Sequence, residues 1–228
     1  MLARPEKIAC FIDHTLLKAE ATEKDILSLC AEALEYRFKS VCVNPGRVAA
    51  AAGALAGSEV AVCAVAGFPL GAGATGVKAA EAAGAVRAGA SEIDMVINVG
   101  LLKDGRDDLV HNDVRMVVEA VAAENPCALV KAIIETCYLT LAEKKAVCLI
   151  CELAGARFIK TSTGMGPAGA TVEDIKLIRE TVSPGTGIKA SGGIKTLDQA
   201  LKMIAAGATR IGTSSGVSIM KQLTERQK

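Results

Sequence analysis

The sequence predicts a single (β/α)8 barrel spanning residues 1–228. Three observations carry this reading. Short apolar segments recur eight times, at about the 30-residue period of a βα unit. Helical patterns with recognisable caps lie between them. The composition is 51% hydrophobic, only 3% aromatic and free of tryptophan, which suits a buried parallel sheet of Val, Ile, Leu and Ala covered by helices. A doubly wound open sheet is the alternative, but no G-x-G-x-x-G turn follows its first strand.

In chain order, a short N-terminal helix over residues 1–10 precedes strands at Phe11–Thr15, Ser40–Val43, Val60–Ala66, Glu92–Asn98, Ala128–Glu135, Arg157–Ser162, Gly187–Ser191 and Arg210–Thr213. The intervening helices announce their starts. Thr140-x-x-Glu143 and Thr196-x-x-Gln199 are capping boxes, and Thr22-x-x-Asp25 and Thr171-x-x-Asp174 are close variants. Asn44-Pro45 offers a cap followed by proline at the first helical position. In the first long helix Ile26, Cys30, Ala33 and Leu34 fall on one face at helical spacing. No linker or low-complexity stretch divides the chain.

Composition also excludes function classes. The net charge of +1 is spread along the chain, which points away from nucleic acid and acidic membranes as partners. The longest uncharged run, Val60 to Val77, is broken by Pro69 and several glycines and cannot span a bilayer. The eight cysteines fall mostly inside apolar runs, and no secretory leader is evident. A reduced, cytoplasmic setting follows. Cys148 and Cys151 have C-x-x-C spacing but sit in a helical pattern without a second pair, so they read as packing rather than redox or zinc chemistry. With only His14 and His111 present, a His-rich metal site is unavailable, and no cofactor or metal is expected.

Catalytic groups in such a barrel gather at the C-terminal strand ends, and phosphate often binds in the loops after the last two strands. Strand alternation aims Lys160, at the end of Phe158-Ile159-Lys160, away from the helices. Asp94 alternates with the apolar Ile93, Met95 and Ile97 and so points into the barrel. Lys131 and Lys189 share the inward direction, while the direction of Asp13 stays open. An inward lysine faces two alternatives, ion pairing within the barrel or service as a nucleophile. Burial and a neighbouring cation both disfavour an ammonium, and a deprotonated lysine forms a Schiff base with a carbonyl compound. Ser191-Gly192-Gly193 and Gly212-Thr213-Ser214-Ser215 supply glycines and hydroxyls suited to an anion.

Taken together, Ile12–Leu17, Glu92–Asn98, Val130–Glu135, Phe158–Gly164, Ile188–Ile194 and Arg210–Ser215 resemble the deoxyribose-phosphate aldolases. The resemblance implies a class I aldolase on a TIM barrel, without metal, that cleaves 2-deoxy-D-ribose 5-phosphate reversibly to acetaldehyde and D-glyceraldehyde 3-phosphate. It assigns Lys160 the Schiff base, Lys189 the neighbouring cation and Asp94 the proton relay. The residues themselves do not rank Lys160 above Lys189. The substrate- and phosphate-binding candidates are Gly192, Gly193, Gly212, Ser214, Ser215, Thr161 and Asp13. A homo-oligomer, dimer or tetramer, is the expected assembly.

Two departures from that pattern stand out. Met165 follows the Thr-Ser-Thr-Gly segment where some members have a phosphate-holding lysine. The tail Leu223–Lys228 lacks the tyrosine that reaches the active site in others. Two other readings keep the barrel. A phosphosugar isomerase or synthase needs a Glu or His base and no imine, and a silent phosphosugar-binding protein has no use for the buried lysines.

Overall fold

The computed structural model describes residues 8–226. Its strands are β1 (Ile12–Leu16), β2 (Ser40–Val43), β3 (Ala61–Ala66), β4 (Glu92–Val96), β5 (Leu129–Ile133), β6 (Phe158–Lys160), β7 (Gly187–Ser191) and β8 (Arg210–Thr213). All neighbours are parallel, and β8 pairs with β1 to close the barrel. This is the predicted (β/α)8 barrel. The predicted N-terminal helix falls mainly on residues 1–7, outside the described residues.

The helices are α1 (Glu23–Tyr36), α2 (Val48–Ala54), α3 (Thr75–Arg87), α4 (Val99–Lys103), α5 (Asp107–Glu124), α6 (Leu141–Leu153), α7 (Val172–Thr181), α8 (Leu197–Ala205) and α9 (Gly216–Glu225). Thr22, Thr140 and Thr196 each close a full capping box, and Thr171 accepts the Asp174 N–H. Asn44-Pro45 opens a 3-10 turn, Pro45–Arg47, rather than a helix directly, and the Asn44 side chain makes no cap bond. No helix among the described residues is long and apolar enough to cross a membrane.

Two cores of different character result. Outward-facing strand residues such as Val41, Ala64, Ile93, Met95, Ala132, Ile159, Ile188 and Ile211 pack with the helices in one apolar layer. Inside the barrel the apolar cluster shrinks to Cys42, Cys63 and Val65, with Leu17 and Phe68 against it. Charged side chains fill much of the remaining interior.

The strand ends differ from expectation where side chains redirect the chain. β4 stops at Val96 because Asn98 turns to cap α4, its Oδ1 accepting the Leu101 N–H at 3.1 Å. β5 stops at Ile133, after which Glu135 adopts a left-handed conformation with φ 48°. β6 stops at Lys160, leaving residues 161–171 without helix or strand before α7.

Candidate active site

Lys131, Lys160 and Lys189 converge on one carboxylate. Asp94 Oδ2 accepts from Lys160 Nζ and Lys189 Nζ, both at 2.7 Å, and Oδ1 accepts from Lys131 Nζ at 2.8 Å. Register explains the convergence. Asp94 pairs with Lys131 across β4 and β5, and Lys160 pairs with Lys189 across β6 and β7. Inward positions on four neighbouring strands therefore meet near the barrel axis.

A second tier lies beneath. Lys131 also contacts Glu92 at 2.6 Å, and Lys189 contacts Asp13. Arg210 reaches Asp13 and grips Glu92 with two bonds of 3.0 Å, while its guanidinium lies 5.4 Å from the Phe158 ring centroid. Four cations, Lys131, Lys160, Lys189 and Arg210, thus meet three carboxylates, Asp13, Glu92 and Asp94. With every group ionised the cluster carries one surplus positive charge.

The electrostatics follow from that crowding. Burial by itself would raise the Asp94 carboxyl, but Lys131, Lys160 and Lys189 overcome it and hold the group well below the usual carboxylate range. Burial opposes ionisation of Asp13 too, and Lys189, Lys131 and Arg210 outweigh it, so this group also falls. For Lys189, burial disfavours the ammonium, yet Asp13 and Asp94 more than compensate and raise it. Lys131 is raised in the same way, chiefly by Asp94 against burial. The expectation that burial and a neighbouring cation depress an inward ammonium is therefore reversed at Lys189 and Lys131. Nearby carboxylates dominate there.

A cavity of about 310 Å³ opens above the cluster at the C-terminal ends of the strands. Lys160 is on its wall; Lys131, Lys189 and Asp94 are not. Of the anion-binding candidates, Gly192, Gly193, Gly212 and Ser214 line it. Gly192 and Gly193 have φ of 87° and 78°, a backbone region that favours glycine. Gly212 has a further reason to be glycine, since a Cβ there would lie 2.9 Å from Lys189 Cε.

The other three candidates lie off this wall. Asp13 is fully buried in the lower tier. Thr161 ties β6 to β7, its Oγ1 donating to the Ser191 carbonyl and accepting the Ser191 N–H. Ser215 precedes α9 and lines a neighbouring cleft with His14 and Glu32.

The model of the DeoC/LacD family aldolases matches residues 7–222. The chain belongs to the DeoC/LacD aldolase family. A deoxyribose-phosphate aldolase of Carboxydothermus hydrogenoformans is 58% identical over 217 residues, covering 95% of each chain. One from a Geobacillus species is 56% identical, over 95% of this chain and 96% of the relative. Among solved structures, the tetrameric deoxyribose phosphate aldolase of Aeropyrum pernix aligns with a TM-score of 0.91 at 33% identity, over 98% of this chain and 93% of that one.

Several residues of this candidate site escaped sequence reasoning. Glu92 and Arg210 form the lower tier, and Cys63 Sγ donates to Asp94 Oδ1 at 3.1 Å. The period-two spacing of Glu92 and Asp94 was a usable signal for the first. Arg210, at a strand start, reads equally well as a solvated end. Lys18 and Lys195 also reach the cavity wall, near the exposed Met165. Nothing in their loop sequences marks them.

Proposed function

We propose that this chain works as a class I aldolase that cleaves 2-deoxy-D-ribose 5-phosphate to acetaldehyde and glyceraldehyde 3-phosphate, reversibly, through an imine at Lys160. The observation that carries the assignment is positional. Of the lysines sharing Asp94, Lys160 is the one on the cavity wall.

The neutral amine of Lys160 attacks the C1 aldehyde of the open-chain sugar, and loss of water gives the imine. Loss of the proton from Lys160 leaves the surrounding cluster electrically neutral, because three cations then face three carboxylates. Asp94 stays ionised beside the new iminium and stabilises it, as preorganised charge does in a site of low polarity. The C2–C3 bond breaks as the C3 hydroxyl loses its proton and the electrons pass to the iminium. Asp94 and Lys189 both lie off the cavity wall, so protons pass between the substrate and this pair through a water, Lys189 sharing the same Oδ2 of Asp94. Protonation and hydrolysis of the enamine release acetaldehyde.

At the far end of the cavity, the backbone of Gly192, Gly193 and Gly212 with Ser214 holds the phosphate near the start of α9. Lys18 and Lys195 supply positive charge on that wall, a task Met165 cannot share. The cavity wall carries neither Glu nor His, which a phosphosugar isomerase reading requires. The assembly in this reading is a homo-oligomer, and the compartment is the cytoplasm.

Borohydride reduction in the presence of acetaldehyde is the direct test. One reduced adduct per chain is expected on the peptide containing Phe158-Ile159-Lys160, and Lys160→Arg should abolish both trapping and turnover. An adduct on Lys189 would exchange the two roles. Absence of any adduct, with activity lost to a chelator, would refute the imine.

A further inference from the structure

Glu135 lies just beyond β5 and has no part in the chemistry described above. Its backbone has φ 48° and ψ 67°, a conformation that residues other than glycine rarely adopt. Both flanking residues are bonded to the neighbouring segment: the Ile134 N–H donates to the Lys160 carbonyl and the Thr136 N–H to the Thr161 carbonyl, each at 3.0 Å. Glu135 is thus lifted out of a continuing ladder, and its side chain folds over the end of β6.

There the carboxylate makes a clamp. The Thr163 N–H donates to both oxygens at 3.2 Å, and the Thr163 hydroxyl donates to Oε2. Thr163 Oγ1 in turn accepts the Met165 N–H at 3.0 Å. Gly166 passes directly over the carboxyl group, where a Cβ would lie 3.4 Å from Glu135 Cδ. The side chain is almost fully buried, and apart from the Cys137 thiol, which donates to Oε1 at 3.8 Å, its bonds go to this one segment.

The clamped segment forms one side of the cavity. Thr163, Gly164 and Met165 line it beside Gly192 and Gly193, with Gly164 against Gly192: a Cβ on Gly164 would lie 3.7 Å from Gly192 Cα. Further along the same loop, Gly169 packs against Gly192, and the Ala170 N–H donates to the Ser191 and Gly192 carbonyls. The loop after β6 therefore braces the turn after β7. The loop and the turn thus form one continuous wall of the cavity, and Glu135 anchors it at Thr163.

We propose that Glu135 is a positioning residue for the phosphorylated end of the substrate, a role that rests on the aldolase reading above. It fixes the Thr163–Met165 wall against Gly192-Gly193, so that the sugar phosphate meets a surface already in the right shape. It touches neither Lys160 Nζ nor the reacting carbons. Its loss should weaken substrate capture without stopping imine chemistry at Lys160.

Glu135→Gly is the informative variant. Glycine accepts the positive φ without strain, so the backbone is preserved while the carboxylate is removed. The expected result is a rise of roughly 10-fold or more in KM for deoxyribose 5-phosphate, the scale of one to two lost polar contacts. kcat should stay within a few-fold, the rate with unphosphorylated deoxyribose should barely change, and acetaldehyde with borohydride should still modify Lys160. Glu135→Gln retains acceptor capacity towards Thr163 and should recover most of the affinity. Unchanged KM in Glu135→Gly, or equal losses for phosphorylated and free sugar, would overturn the proposal. Should Glu135→Gly be too unstable to assay, Thr163→Val removes the hydroxyl end of the same clamp and must reproduce the KM effect. The wild-type adduct in the same experiment reads the imine separately. Its absence would remove the aldolase mechanism and this role with it.

Discussion

Asp94→Asn is the perturbation to which this architecture should respond most sharply. The substitution keeps shape and removes one negative charge from a site where four cations already face three carboxylates. Two surplus positive charges would then be confined in the barrel interior. Asp94 is fully buried, so the ammonium groups gain little compensation from solvent. Removing one member of a buried ion pair costs about 3–5 kcal/mol. For a domain of this size that is a fall in Tm of about 6–20 °C. The acid side gives a second readout. The Asp94 carboxyl is depressed in the folded chain, so its stabilisation is complete above the unfolded value of about 3.9 and is lost as pH falls below it. The variant should lack that share of the acid dependence. Activity should fall roughly 10²-fold in kcat, the scale of general acid–base catalysis. Thermal melts between pH 3 and 8, with kcat on the same preparations, make the test. The double variant Asp94→Asn/Lys131→Met returns the cluster to one surplus charge and should recover part of the Tm but not kcat, because Lys131 is off the cavity wall. A melting point within about 2 °C of wild type would show that the cluster tolerates the extra charge and refute the reasoning.

Further expectations follow from other parts of the molecule. Gly193→Ala places a methyl group at a positive-φ position whose Cβ direction is open; it should slow deoxyribose 5-phosphate more than free deoxyribose, and equal losses would make the turn purely structural. Lys78 is buried, donating to the Gly71 carbonyl at 2.9 Å, the Val96 carbonyl at 3.0 Å and Asp113; Lys78→Met leaves that buried carboxylate without its cation, with only the Thr75 hydroxyl donating to it at 2.9 Å, and should cost about 3–5 kcal/mol in denaturant unfolding. Glu143 is drawn down to about 2 by Lys103 and the Thr140 cap; its contribution is complete above about 4.5 and lost as pH falls through about 2, so Glu143→Gln should flatten the Tm profile in that window. Burial pushes Cys148 up to about 12 and Cys30 up to about 11, so alkylation at pH 8 should mark the exposed Cys10 and Cys127 first. Comparable labelling of Cys148 would mean that α6 opens readily.

Much of the fold was legible because it depends on periodicities that side chains cannot hide. β2, β7 and β8 fall on the residues expected from apolar runs, and threonine caps mark the starts of α1, α6, α7 and α8. The overestimated strands are those whose last residues leave the ladder for reasons outside any local pattern. Asn98 bonds to the helix it caps, and Glu135 reaches a loop 28 residues later. The inward direction of Asp94 and Lys160 followed from alternation, whereas the direction of Asp13 required closure of β8 on β1, which sets it beside Gly212. What no local reading could supply was charge balance. Whether an inward lysine is raised or depressed depends on three carboxylates of two other strands, Asp13 of β1 with Glu92 and Asp94 of β4, and those come together only when the barrel closes.

The division into an apolar outer core and an ionic inner one ties stability to chemistry in this chain. Barrels of this type usually fill their interior with layers of branched aliphatic side chains. Here the layer beneath the cavity is Glu92, Lys131, Arg210 and Asp13. Such a layer is a weak source of net stability, because desolvation cancels much of the attraction. Its use is geometric. Lys131 and Lys189 are each held by more than one carboxylate, while Lys160 is held by Asp94 alone. The least constrained ammonium is thus the one that meets the cavity. An aliphatic layer would leave Asp94 with fewer fixed cations, raise its carboxyl and remove the permanent negative charge that a nascent iminium requires. Stability comes from the helices packed outside the barrel, and that leaves the interior free to hold charge.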